Sequence, residues 1–140
     1  MLCGCRLGAS LSLLPPLPQL ELLDLSYSDL TRQGGPDPSA VAAVLQRLTG
    51  LRDLDLHCCE LMERDIAAVA AALPSGLHRF RLSSDYRCNW RVPTLSAPTA
   101  AALATALLRC AQLQALDCTN VPMLGSEAAA GQAWPEGLGV

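Results

Sequence analysis

Two kinds of apolar spacing alternate along the chain. One is a short L-x-x-L-x-L run. It appears as Leu20-Glu-Leu-Leu23-Asp-Leu25, as Leu51-Arg-Asp-Leu54-Asp-Leu56, as Leu77-His-Arg-Phe80-Arg-Leu82, and as Leu113-Gln-Ala-Leu116-Asp-Cys118. Side chains on an extended strand point alternately to opposite faces, so such a run buries one face and leaves the residues between for solvent. The other spacing is helical. Val41, Val44, Leu45 and Leu48 fall at i, i+3, i+4 and i+7, as do Ile66, Val69, Ala70 and Leu73, and Leu103, Ala106, Leu107 and Cys110. Each set draws one apolar stripe along a helix. The pattern predicts strands near 22–27, 53–58, 79–84 and 115–120, with helices near 38–48, 63–73 and 97–110 between them. Pro38 and Pro98 suit first helical positions, where the missing N–H is not needed. Gly50 is expected to cap the first helix in a left-handed conformation.

Four strand–helix units at start-to-start separations of 31, 26 and 36 residues form an internal repeat. The second unit, Leu51 to Leu61, reads L-x-x-L-x-L-x-x-C-x-L at every fixed position. On these residues the chain resembles the leucine-rich repeat family, and its long helix-containing unit is most similar to the ribonuclease-inhibitor-like subclass. The resemblance covers roughly residues 17–123. It implies an α/β leucine-rich-repeat solenoid, a short horseshoe of about four repeats. The parallel sheet would line the concave face and the helices the convex face, because a lone unit cannot bury its apolar side. Residues 1–16 read as an irregular N-terminal segment, and 124–140 as an incomplete last repeat or tail.

The units depart from the family pattern in places. The inward ladder position that the family fills with Asn or Cys holds Ser28, Cys59, Asp85 and Val121. Cys118 stands where a large strand residue is expected. Residues 85–92 look like an insertion after which Leu95 resumes the core. Neither end shows the polar capping face that terminal repeats need. A fragment of a longer repeat protein is therefore the preferred reading over a complete chain capped by a partner.

Composition narrows the function. The chain has 28 Leu and 21 Ala among 140 residues, 51% hydrophobic and 16% charged, which excludes a disordered chain. A net charge of −3 argues against nucleic-acid binding. No apolar stretch is long enough to span a bilayer. Lys is absent and Ile66 is the single Ile, which reads as coding bias. Seven Cys, two of them adjacent, make a poor disulfide framework, so reduced thiols and a cytoplasmic location are expected. Cys3-x-Cys5 lacks a second ligand pair, so no metal and no cofactor are expected.

In a repeat protein, function rests on the exposed sheet positions. They form three rows: Leu22, Asp53, Arg79, Ala115; then Asp24, Asp55, Arg81, Asp117; then Ser26, His57, Ser83, Thr119. Arg81 is expected to bridge Asp55 and Asp117, and Asp53 to face Arg79, since neighbouring strands lie about 4.8 Å apart. The candidate partner-binding residues are Asp24, Tyr27, Asp53, Asp55, His57, Arg79, Arg81, Asp117 and Asn120, with Trp90 in the insertion as a hot-spot type or a core cover. His57 and Cys58 are expected on opposite faces, so a Cys–His catalytic pair does not form and the chain is not an enzyme. The expected role is a protein-interaction module with a protein partner, and with no nucleic acid, membrane or small-molecule substrate. Two alternatives come only from resemblance: a GTPase-activating regulator of the Ran GTPase-activating type, or a substrate-receptor fragment of a ubiquitin ligase.

Overall fold

The computed structural model describes residues 13–28, 30, 39–85 and 93–121. Seven elements alternate: β1 (Leu22–Asp24), α1 (Ser39–Arg47), β2 (Asp53–Asp55), α2 (Glu63–Ala72), β3 (Arg79–Arg81), α3 (Ala97–Leu108) and β4 (Ala115–Asp117). The strands form one parallel sheet in sequence order, β1-β2-β3-β4. Leu22 is level with Asp53, Arg79 and Ala115, and Asp24 with Asp55, Arg81 and Asp117. The middle residues, Leu23, Leu54, Phe80 and Leu116, are all buried. They join one apolar cluster with Val44, Leu45, Leu48, Ile66, Val69, Leu103 and Leu107 of the helices. The helices therefore lie on the face to which these middle residues point, α1 against α2 and α2 against α3. The opposite face carries the first and last residues of each strand.

Each strand is only three residues long, half of what the apolar alternation predicts. The parallel backbone pairing nevertheless continues: Leu25 N–H donates to Asp55 O at 3.0 Å, Tyr27 N–H to His57 O at 2.9 Å, and Cys58 N–H to Ser83 O at 2.8 Å. What ends the strand is a turn. Tyr27, Cys58 and Asn120 have φ of 58°, 51° and 61°, the left-handed region, which breaks the alternation of faces. Strand geometry thus breaks at the left-handed residue in the first, second and fourth units.

Local chemistry sets the helix ends. Met62 N–H donates to Asp65 Oδ2 at 2.7 Å, which satisfies a free donor at the start of α2. At the head of α3, Ser96 N–H donates to Glu63 Oε1 at 2.8 Å and so ties α3 to α2. Hydrogen bonding from Ser96 holds the Glu63 carboxyl below its ordinary pKa. Gly50 does not serve as a left-handed cap. It is needed because the Pro18 carbonyl occupies the space a Cβ would take. Leu95 is fully buried and resumes the core after the residue 85–92 segment.

Candidate functional site

Three strands end on an aspartate whose carboxylate folds back on its own chain. Asp24 Oδ1 accepts from Ser26 N–H at 2.9 Å and Ser26 Oγ at 2.6 Å. Asp55 Oδ1 accepts from His57 N–H at 2.8 Å. Asp117 Oδ1 accepts from Thr119 N–H at 3.0 Å and Thr119 Oγ1 at 2.6 Å. These are Asx-turns, in which a side chain takes the place of a backbone acceptor two residues back. The left-handed residue follows immediately in each case. The aspartates thus have a structural task that the charge rows did not disclose. The signal in the sequence was the Asp-x-Ser, Asp-x-His and Asp-x-Thr spacing.

The third strand ends on Arg81. It reaches sideways instead: Nε donates to Asp117 Oδ2 at 2.8 Å and Nη1 to Asp55 Oδ2 at 3.5 Å. This is the double bridge expected from the register. Burial lowers the Arg81 pKa, but the hydrogen bond and charge of Asp117 and the charge of Asp55 outweigh it and raise it overall. Burial pushes the Asp117 pKa up, but hydrogen bonds from the Thr119 side chain and backbone, Arg81 and Ser83 overcome this and lower it to about 2. Asp53 and Arg79 are level in the register, yet among the described residues no ion pair joins them.

Around these charges the sheet forms a shallow cavity of about 300 Å³, lined by all four strands and including Asp24, Asp53, Asp55, Arg79, Arg81 and Asp117. Six of the ten candidate binding residues therefore meet on one surface. Tyr27 is exposed beyond the end of β1, and Asn120 lies exposed beyond β4, its Nδ2 donating to Ser84 O at 2.7 Å. Trp90 lies outside the described residues, as does the Cys3-x-Cys5 pair.

His57 corrects two expectations. Strand alternation predicts an exposed third row, but Ser26, His57 and Ser83 are buried, and only Thr119 of that row is exposed. His57 is therefore not part of the exposed sheet face. The second correction concerns Cys58. The left-handed turn brings its Sγ within 3.4 Å of His57 Nε2, although strand alternation would keep them apart. At the same ring nitrogen, Asp85 Oδ2 lies 3.6 Å from His57 Nε2. The Tyr27 ring meets the His57 ring edge to face at 5.2 Å.

The cysteines also differ from the reduced set expected. Cys59, Cys110 and Cys118 are buried thiols outside any disulfide, but Cys58 is disulfide-bonded. Burial pushes the Cys118 thiol up to about 12, with the Asp117 charge adding to it, and burial raises that of Cys110 as well. Both are inert at neutral pH. Cys59 Sγ donates to Leu25 O at 2.9 Å, which satisfies the backbone of the preceding unit. With Cys58 in a disulfide, the Cys–His pair holds no thiolate nucleophile.

The chain matches no protein-family model, and no characterised protein or solved structure matches it. No helix among the described residues is long and apolar enough to cross a membrane.

Proposed function

We propose that the chain is a protein-interaction module built as a leucine-rich-repeat solenoid of the ribonuclease-inhibitor-like kind, and that it binds a partner through the open face of its sheet. The observation that carries this reading is the uneven charge on that face. Arg81 is held between Asp55 and Asp117, and its order is fixed by two ion pairs. Among the described residues, Asp24 and Asp53, toward β1, are met by no arginine within ion-pair distance, and the exposed Arg79 meets no carboxylate. The surface is thus an acidic half beside a basic stripe over a shallow hollow. Such a pattern suits a folded protein or peptide that places a basic group over Asp24 and Asp53 and an acidic group over Arg79. Complementary charges of this kind set partner choice and on-rate more than affinity.

The test is affinity capture by the full chain and by its Arg79→Glu/Arg81→Glu variant, with circular dichroism to show that both are folded. The expected result is loss of the captured partner by the variant, and weaker capture by the wild type as salt rises. Unchanged recovery by the folded variant sinks the reading.

A further inference from the structure

We propose that His57, Cys58 and Asp85 form a redox-gated site for a zinc-class divalent cation, filled when the Cys58 disulfide is reduced. The three donor atoms, Nε2, Sγ and a carboxylate oxygen, lie within 4.8 Å of one another. Tetrahedral zinc with Zn–S of about 2.3 Å and Zn–N and Zn–O of about 2.0–2.1 Å sets its S···N donors about 3.6 Å apart and its N···O donors about 3.4 Å apart. The observed separations are 3.4 Å from Cys58 Sγ to His57 Nε2 and 3.6 Å from His57 Nε2 to Asp85 Oδ2. Thus two of the three edges already have the size the ion demands. Mixed sulfur, nitrogen and oxygen donors favour zinc over the hard cations calcium and magnesium.

The surroundings of His57 are those of a metal ligand. Its Nδ1 lies 2.8 Å from Ser83 Oγ, and Ser83 Oγ donates its one proton to Asp117 Oδ2 at 3.2 Å. Ser83 must then accept from His57, which puts the ring proton on Nδ1 and the lone pair on Nε2, facing Cys58 and Asp85. A second-sphere acceptor that fixes the tautomer in this way is the usual support of a metal-bound histidine. His57 and Cys58 are buried and Asp85 is partly exposed, so ion and water enter on the Asp85 side. Three protein ligands leave the fourth position of a tetrahedral ion open to water or to the second thiol that reduction frees.

The gate is the disulfide. Two equivalents of a small-molecule thiol transfer two electrons to it: the protein S–S bond breaks, two protein thiols form, and the small molecule leaves as its own disulfide. Cys58 then gives its proton to solvent as its thiolate takes the ion. A disulfide sulfur carries no such charge, so the oxidised chain lacks one of the three ligands.

The experiment uses the full chain, reduced with a phosphine that is then removed under inert gas, and titrated with Co²⁺ and Zn²⁺. We expect one equivalent bound, a sulfur-to-cobalt charge-transfer band, and displacement of cobalt by zinc. The oxidised chain should lose the band. His57→Gln and Asp85→Asn should weaken binding at least about tenfold, and Ser83→Ala about 10- to 100-fold, as second-sphere changes do. Cys3→Ser/Cys5→Ser should bind as the wild type does. Circular dichroism on each variant, and the Gln and Asn choices, separate ligand loss from unfolding. A charge-transfer band that survives His57→Gln, or one abolished by Cys3→Ser/Cys5→Ser, overturns the proposal. So does equal binding by the oxidised chain.

Discussion

The third strand differs from the other three at one outward position, and the difference propagates. In the first, second and fourth units, an aspartate ends the strand, closes an Asx-turn and is followed by a left-handed residue, Tyr27, Cys58 or Asn120. In the third, Arg81 ends the strand, makes no such turn, and Ser84 at the corresponding place has no positive φ. The Asp side chain is bound within its own unit, whereas the Arg side chain bonds to the two units beside it. One position thus does two kinds of work. The local acceptor shapes the backbone of a unit, and the long cation fastens units together. On the inward face no such division exists, because Leu23, Leu54, Phe80 and Leu116 all face one shared core.

That shared core supplies the largest expected effect. Phe80→Ala and Leu54→Ala should each destabilise by several kcal/mol, about 3–5 for the aromatic and about 2–5 for the leucine. Both residues are at most 2% exposed. Denaturant midpoints with unchanged slopes would report this. If the third unit were loosely attached, Phe80→Ala would cost clearly less than Leu54→Ala, and the claim that the units differ only outwardly would fall.

How far this division was legible in the sequence follows from range. The inward face was legible because each strand repeats the same apolar spacing and the core tolerates only one kind of residue there. The rows on the outward face were legible for the same reason, since register fixes which residues lie level. The double bridge of Arg81 needed nothing beyond register. What lay hidden begins where alternation stops. A single left-handed residue turned Cys58 toward His57, and a Tyr or a Cys gives little warning of positive φ. The Asx-turns were present as Asp-x-Ser, Asp-x-His and Asp-x-Thr but were read as charge alone. The need for Gly50 came from Pro18, which lies 32 positions away in the chain; that approach has no local signature.

A smaller effect separates two aspartates in the same row. Among the described residues Asp24 bonds only within its own turn, whereas Asp117 also receives Arg81 and Ser83. Asp24→Ala should cost about 1 kcal/mol and Asp117→Ala about 2 kcal/mol, because Asp24 accepts two hydrogen bonds and Asp117 four. Acid gives the same contrast without changing the chain. The folded Asp117 pKa of about 2 is below its ordinary 3.8. A depressed carboxylate contributes stability that is present above its unfolded pKa and lost as pH falls through the folded one. The stability gap between wild type and Asp117→Asn should therefore hold at pH 5 and close between about pH 4 and about pH 2. The side chain is more than a third exposed, so the gap is about 1 kcal/mol after solvent screening. A gap that stays constant down to pH 2 would mean that the carboxylate charge contributes nothing to folding.

The smallest effect compares two arginines on one strand. Arg79 and Arg81 both face outward from β3, yet among the described residues only Arg81 finds an ion-pair partner. Arg81→Ala removes a cation from between two carboxylates and should cost about 1 kcal/mol, the upper end for part-exposed pairs. Arg79→Ala removes an exposed side chain that joins no ion pair and should change stability by less than about 0.5 kcal/mol. Partner capture should rank them differently. Among the described residues no carboxylate holds Arg79, so its loss should weaken capture at least as much as loss of Arg81. A variant that keeps its denaturation midpoint and loses its partner marks a contact residue, because stability no longer explains the defect. If Arg79→Ala keeps both midpoint and partner while Arg81→Ala loses both, the charges on this face act as a clamp between units and not as a surface for another protein.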